Sequence, residues 1–306
     1  MHARCGAIYP QQCHSPMTPT FVLLALAVIA LWLGGGENAS RIRQSLWWAI
    51  WFVTLVSALV SGAVTAWGAV VSVVFACATY AFRQARKPWQ LGLAAAAVLA
   101  LAVGLMLHRL PGFHNPRVID AVRFTPDARP FTLYLNYDKT LIGLFILGWL
   151  HTRIHRLRDW KSMLAVWLPW TTGLIALLMV LSLAMGYLRF APKFPAESRL
   201  WLGVNLFFTC TAEEALFRGF IQAQLQRLWR EKRGGATLAL AVAAVLFGLA
   251  HLAGGWAYVA LATVAGLGYG WIYQRTQRIE ASILAHFALN VTHFFLFTYP
   301  VLAHRG

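Results

Sequence analysis

The chain has 306 residues, of which 59 % are apolar and only 12 % are charged, and its mean hydropathy is +0.60. Soluble domains carry roughly 25 % charged residues, so this composition excludes an ordinary soluble domain and excludes disorder. In a soluble protein the formal net charge of +16 would indicate a nucleic-acid partner. Here the basic residues lie in short clusters between apolar segments, which is typical of membrane proteins, so no nucleic-acid partner is expected.

Apolar segments long enough to approach a bilayer-spanning length recur along the whole chain. A spanning helix needs about 20 mostly apolar residues. The sequence therefore predicts an all-α fold, a polytopic transmembrane helix bundle of eight to ten spans. The candidate spans are 20–34, 46–62, 63–82, 90–107, 139–151, 163–188, 200–224, 237–253, 256–274 and 281–300. The 139–151 segment is short enough to be part of a tilted or broken helix.

The chain divides into two predicted regions. Residues 1–190 hold N-terminal membrane helices, and residues 191–306 hold a catalytic core made of the last four helices. Pro and Gly punctuate a long loop at 108–138, which is therefore not a span. We expect this loop to form a partly ordered cap on the bundle, and the alternative is a direct contact with substrate.

Loop charge gives a predicted orientation. When the loops at 34–45, 83–89, 152–162, 225–236 and 275–280 are placed in the cytoplasm, that side holds 15 Lys and Arg residues and the other side holds 10. The excess has the direction that the positive-inside rule requires. The four cysteines form no C-x-x-C pair, so neither a disulfide framework nor a zinc ribbon is predicted. Of these, Cys77 and Cys210 lie in apolar segments and are expected in the core.

Ionisable residues inside the spans indicate where chemistry is expected, because each costs about 2.5–3.5 kcal/mol on insertion scales. We expect all of them in the last hundred residues. Glu213 and Glu214 are neighbours, so they point in different directions from one helix. Glu214 and Arg218 are four residues apart and share a face, which permits an ion pair. The natural division is that Glu214 neutralises Arg218 while Glu213 faces a cavity.

Two further apolar helices carry imidazoles. Phe247 and His251 are four residues apart at the end of one helix, and His286 and Asn290 are four apart on the last helix. Each motif alone also fits a structural role, such as a hydrogen bond that locks two helices. Their joint occurrence on three spans favours convergence at one site. Between them, Ala262, Gly266 and Gly270 form a small-residue stripe that predicts close helix packing.

Taken together, Glu213-Glu214-x-x-x-Arg218, Phe247-x-x-x-His251 and His286-x-x-x-Asn290, in this order on successive apolar helices, resemble the CPBP (Abi) family. This group of intramembrane proteases includes the type II CAAX prenyl endopeptidases, and the resemblance covers roughly residues 200–296. It implies hydrolysis of a peptide bond inside the membrane. The implied roles are water activation by Glu213, water binding by His251, oxyanion hydrogen bonds from His286 and Asn290, and support from Glu214, Arg218 and Phe247.

The resemblance leaves metal dependence open. We expect no cofactor, and the alternative is a zinc site made of Glu213, His251 and His286, although no H-E-x-x-H motif occurs. The constellation holds no Ser or Cys nucleophile, which favours direct attack by water over an acyl-enzyme. The expected partners are the lipid bilayer and a membrane-embedded or lipid-anchored protein or peptide substrate. By analogy, the expected location is the bacterial inner membrane.

Two non-proteolytic functions compete with this interpretation. Buried ionisable residues also mark ion pathways, so a transporter is the first alternative. A non-catalytic protein of the immunity type is the second, because a fold does not fix an activity.

Overall fold

The structure is a computed structural model that describes residues 18–33 and 41–303. Cys5 and Cys13 lie outside the described residues. Ten helices run through the described part of the chain, which confirms the predicted all-α membrane bundle. The first six are α1 (Thr18–Leu33), α2 (Arg41–Ser61), α3 (Ala66–Gln84), α4 (Pro88–Met106), α5 (Tyr137–Leu150) and α6 (Leu157–Ala184).

The seventh helix is a continuous rod that changes its winding along its length. It runs through α7 (Ser198–Val204), a π-helical turn at Asn205–Cys210, α8 (Thr211–Glu214), a second π-helical segment at Ala215–Gln222, and α9 (Ala223–Leu228). The last three helices are α10 (Gly235–Leu249), α11 (Trp256–Thr276) and α12 (Ile279–Leu296), with a short 3₁₀ turn at Leu252–Gly254 between α10 and α11.

Each predicted apolar segment coincides with one of these ten helices. By length and hydropathy, four helices in the described part of the chain can cross a membrane, namely α3, α4, α6 and α12. Three more are apolar and shorter, at Pro19–Leu33, Ser45–Ser61 and Gly235–Leu249. The total of eight to ten spans therefore stays a prediction.

Helix α5 forms the centre of the bundle. It is one unbroken helix, so a break at this segment is not observed. Residues 137–147 are buried except for Lys139, and α1, α3, α4 and the seventh rod pack around them. Beyond Asp138 and Lys139 in its first turn, this short helix is apolar on nearly all sides, and protein encloses it over most of its length. This enclosure brings the start of α5 next to α8.

The long loop folds into a cap. It carries the strands β1 (Arg117–Val122) and β2 (Phe131–Tyr134), which pair antiparallel with irregular register. Backbone bonds tie the cap to the turn before α3, from Thr65 N to Gly112 O at 2.9 Å, and to the C-terminal segment, from Arg129 N to Val301 O at 2.9 Å. Ordered anchoring at both ends agrees with the predicted cap, and contact with a substrate stays a prediction.

Small residues allow the close approach of α10 and α11. A Cβ added at Gly266 would lie 3.1 Å from Ala244 Cα, and one added at Gly248 would lie 2.8 Å from Val259 O. The predicted role of the small-residue stripe is therefore confirmed at Gly266. The expectation that Cys77 lies in the core is wrong, because its side chain is exposed on α3, whereas Cys210 is buried.

Candidate active site

The glutamates sit on a one-turn α-helical piece, α8, between two π-helical segments. A π turn widens the winding to i→i+5 and is frequent at functional sites. The hydrogen bond from Thr211 Oγ1 to Leu206 O, 2.8 Å long and five residues back, reflects this widening. The directions of Glu213 and Glu214 relative to the rest of this rod therefore depend on the two wide turns.

Glu214 lies in a fully buried ionic cluster. Arg218 Nη1 donates to Glu214 Oε1 at 3.1 Å, and neither side chain is exposed. The ion pair that the sequence spacing permits is therefore present. His286 Nδ1 approaches the same Glu214 oxygen at 2.8 Å, and Arg218 Nη2 donates to Gly266 O at 3.0 Å. The Phe247 ring covers the guanidinium, with the Arg218 carbon 4.4 Å from its centroid. This cluster ties the seventh rod to α10, α11 and α12.

Glu213 points away from that cluster and meets a cation and two imidazoles. Lys139 Nζ, from the start of α5, donates to Glu213 Oε1 at 2.6 Å. Glu213 Oε2 lies 4.0 Å from His251 Nε2 and 4.0 Å from His286 Nε2. This buried oxygen has no hydrogen-bond partner among the described residues. Glu213 thus has one oxygen paired with Lys139 and one unpaired oxygen that lies between the rings of His251 and His286.

The proton positions on the two imidazoles follow from their other partners. His251 Nδ1 lies 2.8 Å from Phe247 O, and a carbonyl oxygen only accepts, so Nδ1 carries a proton. His286 Nδ1 likewise donates to the Glu214 carboxylate. Both rings therefore present Nε2 to Glu213. Each Nε2 accepts a hydrogen bond when its ring is neutral and donates one when its ring is protonated.

Asn290 lies one turn beyond His286 at the edge of this site. Its Nδ2 donates to Asn205 Oδ1 at 3.2 Å, and the Cys210 thiol donates to the same oxygen at 3.3 Å. A cavity of about 70 Å³ is lined by His251, His286 and Asn290 together with residues of α6 and α11. A water occupies about 30 Å³ in the liquid, so this space holds water but not a peptide.

The structure thus brings Glu213, His251 and His286 together, with Asn290 on the cavity wall. It places Glu214, Arg218 and Phe247 directly behind them. The expectation that all buried ionisable residues lie in the last hundred positions is wrong. Asp138 is 2 % exposed and the side chain of Lys139 is 14 % exposed, both at the start of α5.

Lys139 is the site residue that sequence reasoning missed. The available signal was a charged pair, Asp138 and Lys139, at the junction of the long loop and an apolar segment. A span end is where charged residues normally reach water, so neither residue was expected in the site: Asp138 ends the predicted loop at 108–138, and Lys139 begins the predicted span at 139–151. In the fold, Asp138 instead accepts hydrogen bonds from His108 at 2.7 Å and Asn115 at 3.0 Å, which holds the start of α5 under the cap.

Comparisons with known proteins assign this part of the chain. The family model described as type II CAAX prenyl endopeptidase Rce1-like matches residues 195–292, which is the region from α7 through most of α12. No curated protein and no solved structure matches the chain. The matched region contains both glutamates, both imidazoles and Asn290. Residues 195–292 are therefore a domain of the Rce1-like, type II CAAX prenyl endopeptidase branch of the CPBP family, and the chain is a membrane protein that carries a peptidase-family domain.

Proposed function

We propose that this protein is an intramembrane endopeptidase that hydrolyses a peptide bond with a water molecule activated by Glu213. The observation that carries the proposal is the position of Glu213 Oε2, which is buried, lacks a partner among the described residues and lies 4.0 Å from both imidazole Nε2 atoms. A water that makes hydrogen bonds of about 2.8 Å fits a gap of this width.

The chemistry assigned to each residue follows from its contacts. Glu213 takes a proton from the water as hydroxide adds to the carbonyl carbon, and the resulting carboxylic acid protonates the leaving amine when the C–N bond breaks. His251 holds the water through Nε2. His286, through Nε2 when its ring is protonated, and Asn290 donate hydrogen bonds to the oxyanion. One such donor is typically worth about 2.7–4 kcal/mol of barrier.

Lys139 supports a mechanism without a metal. Its ammonium group already neutralises Glu213 at 2.6 Å, which opposes a second cation on the same carboxylate. Zinc bonds of about 2.1 Å in a tetrahedral site place donor atoms about 3.4 Å apart, and the spacing of 4.0 Å here is wider. Within the described residues, no group of three metal-binding side chains is close enough to hold an ion.

A zinc-dependent version is the second candidate, and one observation favours it. Both imidazoles are fixed through Nδ1 and aim Nε2 at Glu213, which is how zinc-binding histidines are usually held. Glu213, His251 and His286 would hold the ion, which would lower the pKa of a bound water.

The proposed substrate is a membrane-embedded or lipid-anchored protein or peptide. The matching family is described by its action on prenylated CAAX sequences, so a farnesylated CAAX peptide is the first substrate to test. The cavity is too small for a peptide, so substrate access requires movement of the helices around it, which include α6, α11 and α12. The proposed location is the inner membrane of a bacterium.

The experiment compares Glu213→Gln with Glu231→Gln on such a peptide in liposomes. Glu231 is an exposed surface residue with a side chain 85 % accessible, so its variant controls for loss of one negative charge. We expect Glu213→Gln to reduce cleavage to a small residual rate while the protein still inserts and folds, and Glu231→Gln to retain full activity. Full activity of Glu213→Gln would refute the assignment. Loss of wild-type activity to a chelator, restored by zinc, would favour the metal-dependent candidate.

A further inference from the structure

A second and larger cavity lies far from the Glu213 site, toward the other end of α5. Its volume is about 1140 Å³, and its wall includes Gly148 to Arg153 at the C-terminal end of α5. Lys139 lies nine residues before Gly148, which is about 14 Å along the helix. The remaining wall comes from α2, α3, the starts of α4 and α6, the second π-helical segment, α9 and α11. We call this cavity the basic basin.

The charge of the basic basin is strongly one-sided. Four arginines line it, namely Arg83, Arg153, Arg156 and Arg227. Within this described lining the one acidic residue is Asp159, which already faces Arg278 at 3.8 Å. Glu280 lies behind the wall, where it is 2 % exposed and accepts the backbone N–H of Ile154 at 2.7 Å.

Two buried donors in the wall of the basic basin have no acceptor. Arg153 Nη1 donates to Leu147 O at 2.7 Å and to His151 O at 2.9 Å, but its Nε has no partner among the described residues. The same holds for the indole Nε1 of Trp149. An unpaired buried donor is costly, so each of these atoms favours an acceptor that the described residues do not supply. Both atoms are buried from solvent, so an anion in the basin would meet the arginine guanidinium groups first.

Exposed tryptophans indicate that the basic basin lies near the depth of lipid headgroups. Trp48 on its rim is 45 % exposed, and Trp89, two residues before the lining residue Leu91 in the first turn of α4, is 62 % exposed. Exposed tryptophans at span ends prefer the membrane–water interface. The loop segments around the basin, 83–89, 152–162 and 225–236, are those that loop charge assigns to the cytoplasm. The cytoplasmic leaflet is where anionic lipids attract basic residues.

We propose that the basic basin binds the phosphate headgroup of an anionic phospholipid. Arginine side chains pair with phosphate oxygens through two parallel N–H bonds, which suits a cavity with several guanidinium groups on its wall. The volume exceeds that of one phosphate and admits a glycerophosphate headgroup. Acyl chains would leave the basin along the exposed apolar side chains of the bundle. This inference does not depend on the peptidase mechanism.

The test measures which lipids the purified protein retains. Wild-type protein is equilibrated in mixed micelles with equal amounts of phosphatidylglycerol and phosphatidylcholine, re-isolated, and its bound lipid is quantified by mass spectrometry. We expect phosphatidylglycerol to be enriched by at least about tenfold, since each arginine contributes to attraction. Equal retention of the two lipids by the wild type would overturn the proposal, and this result does not require any variant to fold.

Matched variants locate the site. Arg83→Gln with Arg227→Gln removes two cations from the basic basin, and Arg230→Gln with Arg233→Gln removes two exposed cations from the adjacent turn outside it. We expect the variant with both changes inside the basin to lose most of the phosphatidylglycerol enrichment and the variant with both changes outside it to keep that enrichment. Equal effects of the two pairs would overturn the proposal. Complete displacement of the lipid by millimolar inorganic phosphate would also overturn it, in favour of a site for free phosphate.

Discussion

Lys139→Met tests the buried cation at the proposed catalytic carboxylate. The variant removes the ammonium group 2.6 Å from Glu213 Oε1 and leaves a methyl thioether of similar length. Coulomb's law at an effective dielectric constant of about 20 gives an attraction of about 6 kcal/mol at this distance. Part of that attraction offsets the desolvation of both groups. Removal of one partner from a buried pair typically costs about 3–5 kcal/mol, because the other charge is left unpaired.

The expected shift in melting temperature follows from chain length. At about 2.1 cal/mol/K per residue, the 306 residues give an unfolding entropy of about 0.6 kcal/mol/K. A loss of 3–5 kcal/mol then lowers the melting temperature by about 5–8 °C. The assay is thermal unfolding in detergent micelles, followed by tryptophan fluorescence.

The double variant Lys139→Met with Glu213→Gln separates charge from packing. It removes both charges, so its stability is expected within about 1 kcal/mol of the wild type, which recovers about 2–4 kcal/mol of the loss in Lys139→Met. A melting temperature of Lys139→Met equal to that of the wild type would refute the argument. The argument would also be refuted if the double variant lost as much stability as the two single variants added together.

Three further predictions concern packing, catalysis and the Arg218 cluster. Gly248→Ala is expected to destabilise the protein by about 1–3 kcal/mol, because its Cβ would overlap Thr263 Oγ1, whereas Gly92→Ala, in open space on α4, is expected to be neutral or stabilising in the same melting assay. Asn290→Ala is expected to lower kcat by about 10²–10³ with little change in KM, as measured on the cleaved peptide, and an unchanged kcat would exclude an oxyanion role. Arg218→Lys is expected to cost about 1–3 kcal/mol in unfolding free energy, since an ammonium group cannot reach Glu214 and Gly266 O together; an unchanged melting temperature would contradict this.

The helices were predictable because each is a long apolar segment bounded by charged or punctuating residues. All ten predicted segments coincide with helices, and the pairing of Glu214 with Arg218 follows from one helical turn between them. The convergence of His251 and His286 on Glu213 was an expectation from three separate motifs. Residue spacing predicts which side chains share one face of a helix. The occurrence of three such motifs on successive helices was then sufficient to propose one shared site.

The remaining features depend on contacts between distant parts of the chain. Lys139 precedes Glu213 by 74 residues, and its role comes from the burial of α5 at the centre of the bundle. The two π segments have no distinct composition, so nothing local identifies the wide turns around α8. The cap strands at 117–122 and 131–134 are short and interrupted in register, and a Pro-rich and Gly-rich loop does not predict them.

The central claim is that Glu213 and His251 act as one unit on one water molecule. The most direct measurement is the single-turnover cleavage rate of Glu213→Gln, His251→Ala and the variant with both changes. Residues that act as a unit are strongly non-additive. We therefore predict that His251→Ala slows the wild type substantially but slows Glu213→Gln hardly at all. If His251→Ala costs the same factor in both backgrounds, the two residues act independently and the proposed centre is wrong.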